Sequence, residues 1–278
     1  MKQMLFVFTV ITFLYCDFSS AQRRISNSET AKENEFPYMA IVQAGSTTCG
    51  GALISDEFVI TAAHCLMNLN GNQRKRIIFG INNYYKADDE PQRVEFKNYK
   101  YWIHENFTMP SATNDIALIQ TPEKIKFSQK VQPLKLSCDE RIDGNGKEVS
   151  AVISGWGLDE NYHPPSVLKK AIMTLISIKD CYKYQPHFVE KITAHHICAF
   201  GKKSSGKIDV VSPCDGDSGS PLVAIDTREL IGITSYVKDA EDGIPTRNVC
   251  ESDQAPAVYV RVTSYHDWIK EKSGIRFC

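Results

Sequence analysis

Cys49-Gly50-Gly51-Ala52-Leu53-Ile54-Ser55-Asp56-Glu57-Phe58-Val59-Ile60-Thr61-Ala62-Ala63-His64-Cys65 holds two short apolar runs, Ala52–Ile54 and Phe58–Ala62, on either side of a polar turn. Runs this short, bounded by turn formers, are strand signals and leave no room for an amphipathic helix. The same pattern recurs along the chain at Met39–Val42, Ile77–Phe79, Ile116–Ile119, Val149–Ile153, Leu222–Ile225, Leu230–Ile233 and Ala257–Val262. Gly, Asn, Asp, Pro or Lys clusters separate most of these runs. Many short strands with turns between them predict an all-β sandwich or barrel. Helical spacing appears at Ser264–Lys272, where Tyr265, Trp268 and Ile269 share a face, and more weakly at Ser177–Lys183. The polar stretches Asn68–Arg76, Lys86–Arg93, Cys138–Lys147 and Lys202–Asp209 read as solvated loops, the third linking two halves of similar size.

With 278 residues, 42% apolar, the chain can bury a substantial core. A formal net charge of −1 supplies no basic excess for phosphates, which argues against nucleic-acid or membrane-surface partners. The N-terminus differs from the rest. Lys2 precedes an apolar run from Met4 to Cys16, and the small residues Ser19, Ser20 and Ala21 follow. That is a signal-peptide pattern covering residues 1–21, too short for a comfortable membrane span. Export places the remaining cysteines in an oxidising compartment. Cys16 leaves with the signal, and Cys49, Cys65, Cys138, Cys181, Cys198, Cys214, Cys250 and Cys278 fit no zinc-finger spacing. Disulfides are the expectation, and the sequence by itself leaves about a hundred pairings.

Three segments carry chemistry together, though each is ordinary alone. Thr61-Ala62-Ala63-His64-Cys65 places an imidazole at a strand end; Asn114-Asp115-Ile116-Ala117-Leu118-Ile119 places a carboxylate at the head of an apolar run. Gly216-Asp217-Ser218-Gly219-Ser220-Pro221 sets a serine among glycines. A serine hydroxyl is a poor nucleophile at neutral pH and needs an adjacent base. Imidazole titrates near neutrality, so His64 suits that duty, and a buried Asp115 fixes its tautomer.

In their order of His, Asp and Ser, these segments resemble the chymotrypsin-like family of serine proteases. Cys49–Ile54, Gly155-Trp156-Gly157 and Tyr259-Val260-Arg261-Val262 extend the likeness, which runs from Arg24 to the C-terminal helix. The resemblance implies two packed six-stranded antiparallel Greek-key β-barrels, roughly 25–137 and 148–262, with a C-terminal α-helix. It implies a serine endopeptidase with the triad His64, Asp115 and Ser218 and an oxyanion hole from the backbone N–H groups of Gly216 and Ser218. It further implies that a trypsin-like protease removes residues 22–24 by cutting after Arg24, and that the new amino group of Ile25 pairs with Asp217. The implied disulfides are Cys49–Cys65, Cys181–Cys198 and Cys214–Cys250. Cys138 and Cys278 are left to pair with each other or between molecules. Ala151 and Ala224 stand where a further family bridge would be.

By the same resemblance, Ser212 lies at the base of the primary specificity pocket, where a trypsin-like member carries Asp. Burying a substrate cation without such a partner costs several kcal/mol, so cleavage after Lys or Arg is disfavoured. Ser235, Tyr236, Val237 and Ala257 form the pocket walls and Asp215 the rim. Val237 shortens the pocket, pointing to small or medium apolar substrate residues. Ile81 and Pro91 fall where calcium ligands would be, so neither a metal nor another cofactor is expected, and Asp88, Asp89 and Glu90 read as solvated charge. Adjacent His195 and His196 lack a third metal ligand. Asn106-Phe107-Thr108 is an N-glycosylation sequon. The expected partners are protein or peptide substrates, the activating protease and protein inhibitors, with the enzyme itself a monomer. A catalytically dead homologue acting as a binding protein is the competing reading.

Overall fold

The computed structural model describes residues 28–70, 73–86, 88–90, 93–109, 111–142, 144, 149–158, 163, 165–184, 192–201, 212–237 and 256–278. Arg24, Ile25, Pro91 and Cys250 lie outside the described residues, as do the 202–209 loop and the insertion at 238–248.

The apolar runs form strands. In the first half these are β2 (Met39–Ala44), β3 (Thr47–Leu53), β4 (Phe58–Thr61), β5 (Lys75–Phe79), β6 (Val94–Phe96), β7 (Lys100–Ile103) and β8 (Ala117–Gln120). They pair antiparallel in the order β6-β5-β2-β3-β4-β8-β7. The quoted hairpin aligns Ala52 with Ile60 and Leu53 with Val59. Gly45, at φ +63°, turns β2 into β3, a left-handed angle that suits a residue without Cβ. No ladder joins β6 to β7 among the described residues, but Tyr99 OH donates to the Gln43 carbonyl at 3.2 Å and Tyr101 OH to that of Leu69 at 3.1 Å. These bonds fasten the start of β7 across the curl of the sheet.

In the second half, β9 (Ser150–Gly155), β10 (Lys169–Ile176), β11 (His196–Gly201), β12 (Pro221–Ala224), β13 (Leu230–Val237) and β14 (Ala257–Arg261) close on themselves, because β9 pairs with both β12 and β10. A short β1 (Glu29–Thr30) adds to β10. Along β10 buried and more exposed residues alternate, the period-2 signature of a sheet with one face inward. Ala151 and Ala224 are direct cross-strand partners and fully buried, so two methyl groups fill the place of a bridge.

The first half is packed around Ile41, Ile60, Ile77, Phe79 and Leu118, and that core continues without a break into Val223, Leu230, Ile233 and Val260 of the second. Burial of this apolar surface is the main force holding the halves together. The stretch between them runs back along the first half, with Leu134 N–H bonded to Leu53 O at 2.8 Å, and reaches the second where Leu136 pairs beside Leu230.

Both expected helices form. α1 (Ile178–Tyr184) starts at Ser177, whose Oγ accepts the Asp180 N–H at 3.0 Å as an N-cap. α2 (His266–Ser273) follows a 3-10 turn at Val262–Tyr265, buries Trp268 and Ile269, and stops at Gly274 with φ +71°. Cys138 and Cys278 are bridged, tying the connection between the halves to the end of the chain.

Candidate active site

His64 sits in a 3-10 turn, Ala63–Cys65, immediately after β4. The small residues before it are buried, and the Cys49–Cys65 disulfide ties the turn to β3. Asp115 stands ahead of β8 and is fully buried. Its Oδ1 accepts the backbone N–H of His64 at 2.8 Å, while Oδ2 lies 2.8 Å from His64 Nδ1. The same Oδ2 accepts the hydroxyl of Ser235 at 2.6 Å. An ionised carboxylate only accepts, so Nδ1 carries the imidazole proton and Nε2 is left as a base. The His64 side chain retains 23% exposure.

Ser218 lies in a turn that hydrogen bonds close tightly: Asp217 N to Cys214 O at 2.9 Å and Ser220 N to Asp217 O at 3.0 Å. Gly216 (φ +95°) and Gly219 (φ +78°) flank it in left-handed geometry. A Cβ on Gly219 would meet Thr61 Oγ1 at 2.2 Å and Ala62 N at 3.0 Å, so this glycine lets the serine turn reach the segment that delivers His64. Gly50 N–H donates to Ser218 O at 2.8 Å, a further tie between the two halves. Gly50 also makes room for Ser220: a Cβ there would lie 2.0 Å from Ser220 Oγ. Among the described residues the N–H groups of Gly216 and Ser218 donate to nothing, leaving two amide donors beside the Ser218 hydroxyl.

A family model described as Trypsin matches residues 25–269. The chain belongs to the trypsin family of serine endopeptidases. Collagenase of Hypoderma lineatum is 30% identical over 266 residues, covering 94% of this chain and 91% of that protein. Serine protease 1 of Drosophila melanogaster is 32% identical over 268 residues, 92% of this chain and 88% of that one. Transmembrane protease serine 11C of Mus musculus is 29% identical over 255 residues, and the chain spans about half of its length (54%) against 91% of its own. Among solved structures, mouse neuropsin, a serine protease of the limbic system, superposes with a TM-score of 0.70 at 26% identity, covering 88% of this chain and 98% of that one.

Asp217, the residue before Ser218, is also buried. Its carboxylate is buried between Gly155 and Gly157, where a Cβ on either glycine would approach it to 2.0–2.3 Å. It accepts N–H groups from Gly157 at 2.8 Å and Cys214 at 2.9 Å. Burial nevertheless pushes its pKa up to about 6, with Asp215 adding to the rise and the two N–H groups opposing it. Cys214 is disulfide-bonded, and Cys181–Cys198 is closed.

Ser212 is 2% exposed, and its hydroxyl has no hydrogen-bond partner among the described residues. Val237 and Ala257 are direct partners between β13 and β14, Tyr236 pairs with Val258, and Asp215 is exposed. Ser235, expected in the pocket wall, also reaches Asp115. The ladder slips between Thr234 and Tyr236, and this bulge turns the Ser235 hydroxyl onto Asp115. A serine at a strand position carries no signal of a bulge.

The acidic loop is paired more than its sequence suggested. Arg76 binds Asp88 and Glu95, Arg93 binds the same two carboxylates, and Lys130 lies 3.2 Å from Glu90. Glu90 is thus part of an ion pair, and Ile81 packs as apolar core. His196 is buried, with its pKa lowered by desolvation to about 4, and Nδ1 accepts the Thr193 N–H at 3.1 Å. Among the described residues, the sole cluster with metal-ligand geometry is Cys49, His64 and Cys65, whose thiols are consumed in a disulfide. Asn106 is exposed in a turn. Among the described residues no helix is long and apolar enough to cross a membrane.

Proposed function

We propose that this protein is a secreted serine endopeptidase, made as a zymogen, that cleaves peptide bonds through an acyl-enzyme after small or medium apolar residues. The observation that carries the reading is the threefold hydrogen bonding of the buried Asp115 carboxylate, which fixes His64 with Nε2 as the base. Ser218 Oγ attacks the scissile carbonyl, His64 takes its proton, and that proton passes to the leaving amine. The amides of Gly216 and Ser218 receive the developing oxyanion. Water then enters as the second nucleophile and releases the acyl group by the same steps.

The zymogen reading rests on Asp217, a buried carboxylate that lacks a described cation. Cleavage after Arg24 by a trypsin-like protease would supply the Ile25 ammonium, and the pair would hold the oxyanion loop. The apolar preference rests on the uncharged Ser212 and on the Val237–Ala257 pair. Secretion rests on residues 1–21 and on the disulfides, which belong to oxidising compartments. A monomer acting on protein substrates, restrained by protein inhibitors and glycosylated at Asn106, completes the proposal.

A fluorophosphonate probe tests the nucleophile. The activated enzyme is labelled and Ser218→Ala is not; labelling of the variant overturns the assignment. A peptide-library profile tests the pocket, and dominant cleavage after Lys or Arg refutes the apolar preference.

A further inference from the structure

Both chain neighbours of Asp115 are held by one turn, and that turn is held by the C-terminal helix. Asn114 adopts φ +54°, a left-handed angle that Asn tolerates better than most residues. Its side chain is engaged at both ends: Oδ1 accepts the Tyr265 hydroxyl at 2.9 Å and Nδ2 donates to the Asn106 carbonyl at 2.9 Å. On the other side of Asp115, Ile116 O accepts the His104 N–H at 3.1 Å. The turn around 104–106 is in turn pinned to α2. The His104 ring lies 5.4 Å from that of Tyr265 and 5.2 Å from that of Trp268. Glu105 accepts Trp268 Nε1–H at 2.8 Å and pairs with Lys272 at 2.6 Å.

We propose that Asn114 and Tyr265 are positioning residues, which set the triad carboxylate through the C-terminal helix and the 3-10 turn that leads into it; the proposal rests on the triad reading above. Neither side chain is hydrogen-bonded to His64 or Ser218. Asp115 must meet both the backbone and the ring of His64 at hydrogen-bond distance, and a displacement of about 1 Å in such an arrangement is enough to cost up to about 100-fold in rate. A side-chain amide bonded at both ends, just ahead of the carboxylate, removes the backbone freedom that would allow such a shift. Asp115 leads into β8 of the first sheet, and Asn114 and Tyr265 hold the chain on its other side.

The test uses the full-length, activated protein and a small amide substrate, with active molecules counted by fluorophosphonate titration so that partial unfolding does not enter kcat. Tyr265→Phe removes one hydroxyl and keeps the ring. Asn114→Gly keeps the left-handed backbone and removes the amide. Both are expected to lower kcat about tenfold with KM within about twofold, and to move the acid limb of kcat/KM to lower pH, since a displaced carboxylate favours the imidazolium less. Ser273→Ala, which removes a hydroxyl bonded to Ile269 O at the far end of α2, controls for simple loosening of the helix and should leave that limb in place. If Tyr265→Phe and Asn114→Gly keep kcat within twofold and the acid limb unmoved while Asp115→Ala is inactive, the positioning role is refuted. If Asp115→Ala itself keeps full activity, the triad reading falls and this role with it.

Discussion

The hydroxyl of Ser235 donates to Asp115 Oδ2 at 2.6 Å, across the seam between the two halves of the molecule. Asp115 heads a strand of the first half; Ser235 lies at a bulge in β13 of the second. The Asp115 carboxylate is therefore fixed from both sides, and its geometry depends on how the halves dock.

Removing that hydroxyl leaves one acceptor site of a buried carboxylate unfilled. Hydrogen bonds to charged groups contribute about 1.5–3 kcal/mol, so Ser235→Ala should lower kcat/KM by about tenfold or more, with the protein still folded. Steady-state kinetics on a small amide substrate checks this, and an unchanged kcat/KM would contradict it.

Asp217 gives a pH prediction with a definite sign. Its carboxyl in the fold is raised to about 6 from the ordinary 3.8, by burial first. A raised folded pKa means that its contribution to stability is fully present below about pH 4 and is lost as pH rises through about 6. An uncleavable Arg24→Gln protein should thus lose melting temperature over that interval, whereas the cleaved form, with the Ile25 ammonium as partner, should not. Melting curves of the two forms that run parallel from pH 4 to 7 would remove the argument.

The ion-paired loop predicts insensitivity to chelation. EDTA should leave the melting temperature unchanged, whereas Glu95→Gln strips Arg76 and Arg93 of a shared partner. Arg76 and Glu95 side chains are 12% and 13% exposed, so the loss should be about 2 kcal/mol, below that for a fully buried pair. Urea unfolding measures the second effect and calorimetry the first.

The Cys138–Cys278 bridge spans a sequence separation of 140. In the chain-entropy model, closing so long a loop stabilises by about 3–5 kcal/mol. Replacing both cysteines with serine should lower urea stability by that order while activity per folded molecule is kept. A double variant as stable as the parent would show that the bridge is idle.

Val237→Gly removes the side chain opposite Ala257. Apolar pocket changes of this size are worth about 1–3 kcal/mol, so kcat/KM for aromatic relative to small apolar substrate residues should rise about tenfold or more. A paired-substrate competition assay reads the ratio, and no change would place Val237 outside the pocket wall.

Much of this was legible in the chain. Runs such as Phe58–Ala62 and Leu230–Ile233 gave the strands because each is apolar, short and bounded by turn formers. Trp268 and Ile269 gave the last helix by spacing. The glycines beside Ser218 were visible as types, but their left-handed angles were not, since the angle is set by what packs against the turn. Ser235, expected in the pocket wall, and Asn114, the residue before Asp115, were visible as types, but the bonds they make were not. Their roles depend on a bulge and on a helix more than a hundred positions away, and no local pattern records either. Glu90 was misjudged for a related reason: Lys130, its partner, is remote in sequence.

The 2.0 Å approach between Ser220 Oγ and the space above Gly50 makes these two positions a single heritable unit. Changing Gly50 alone would drive a methyl group into the hydroxyl, so a larger residue there requires Ser220 to move or shrink as well. Anyone grafting loops from a relative onto this scaffold must move the two together, because either half of the exchange made first passes through a misfit next to the nucleophile or an emptied pocket in its support.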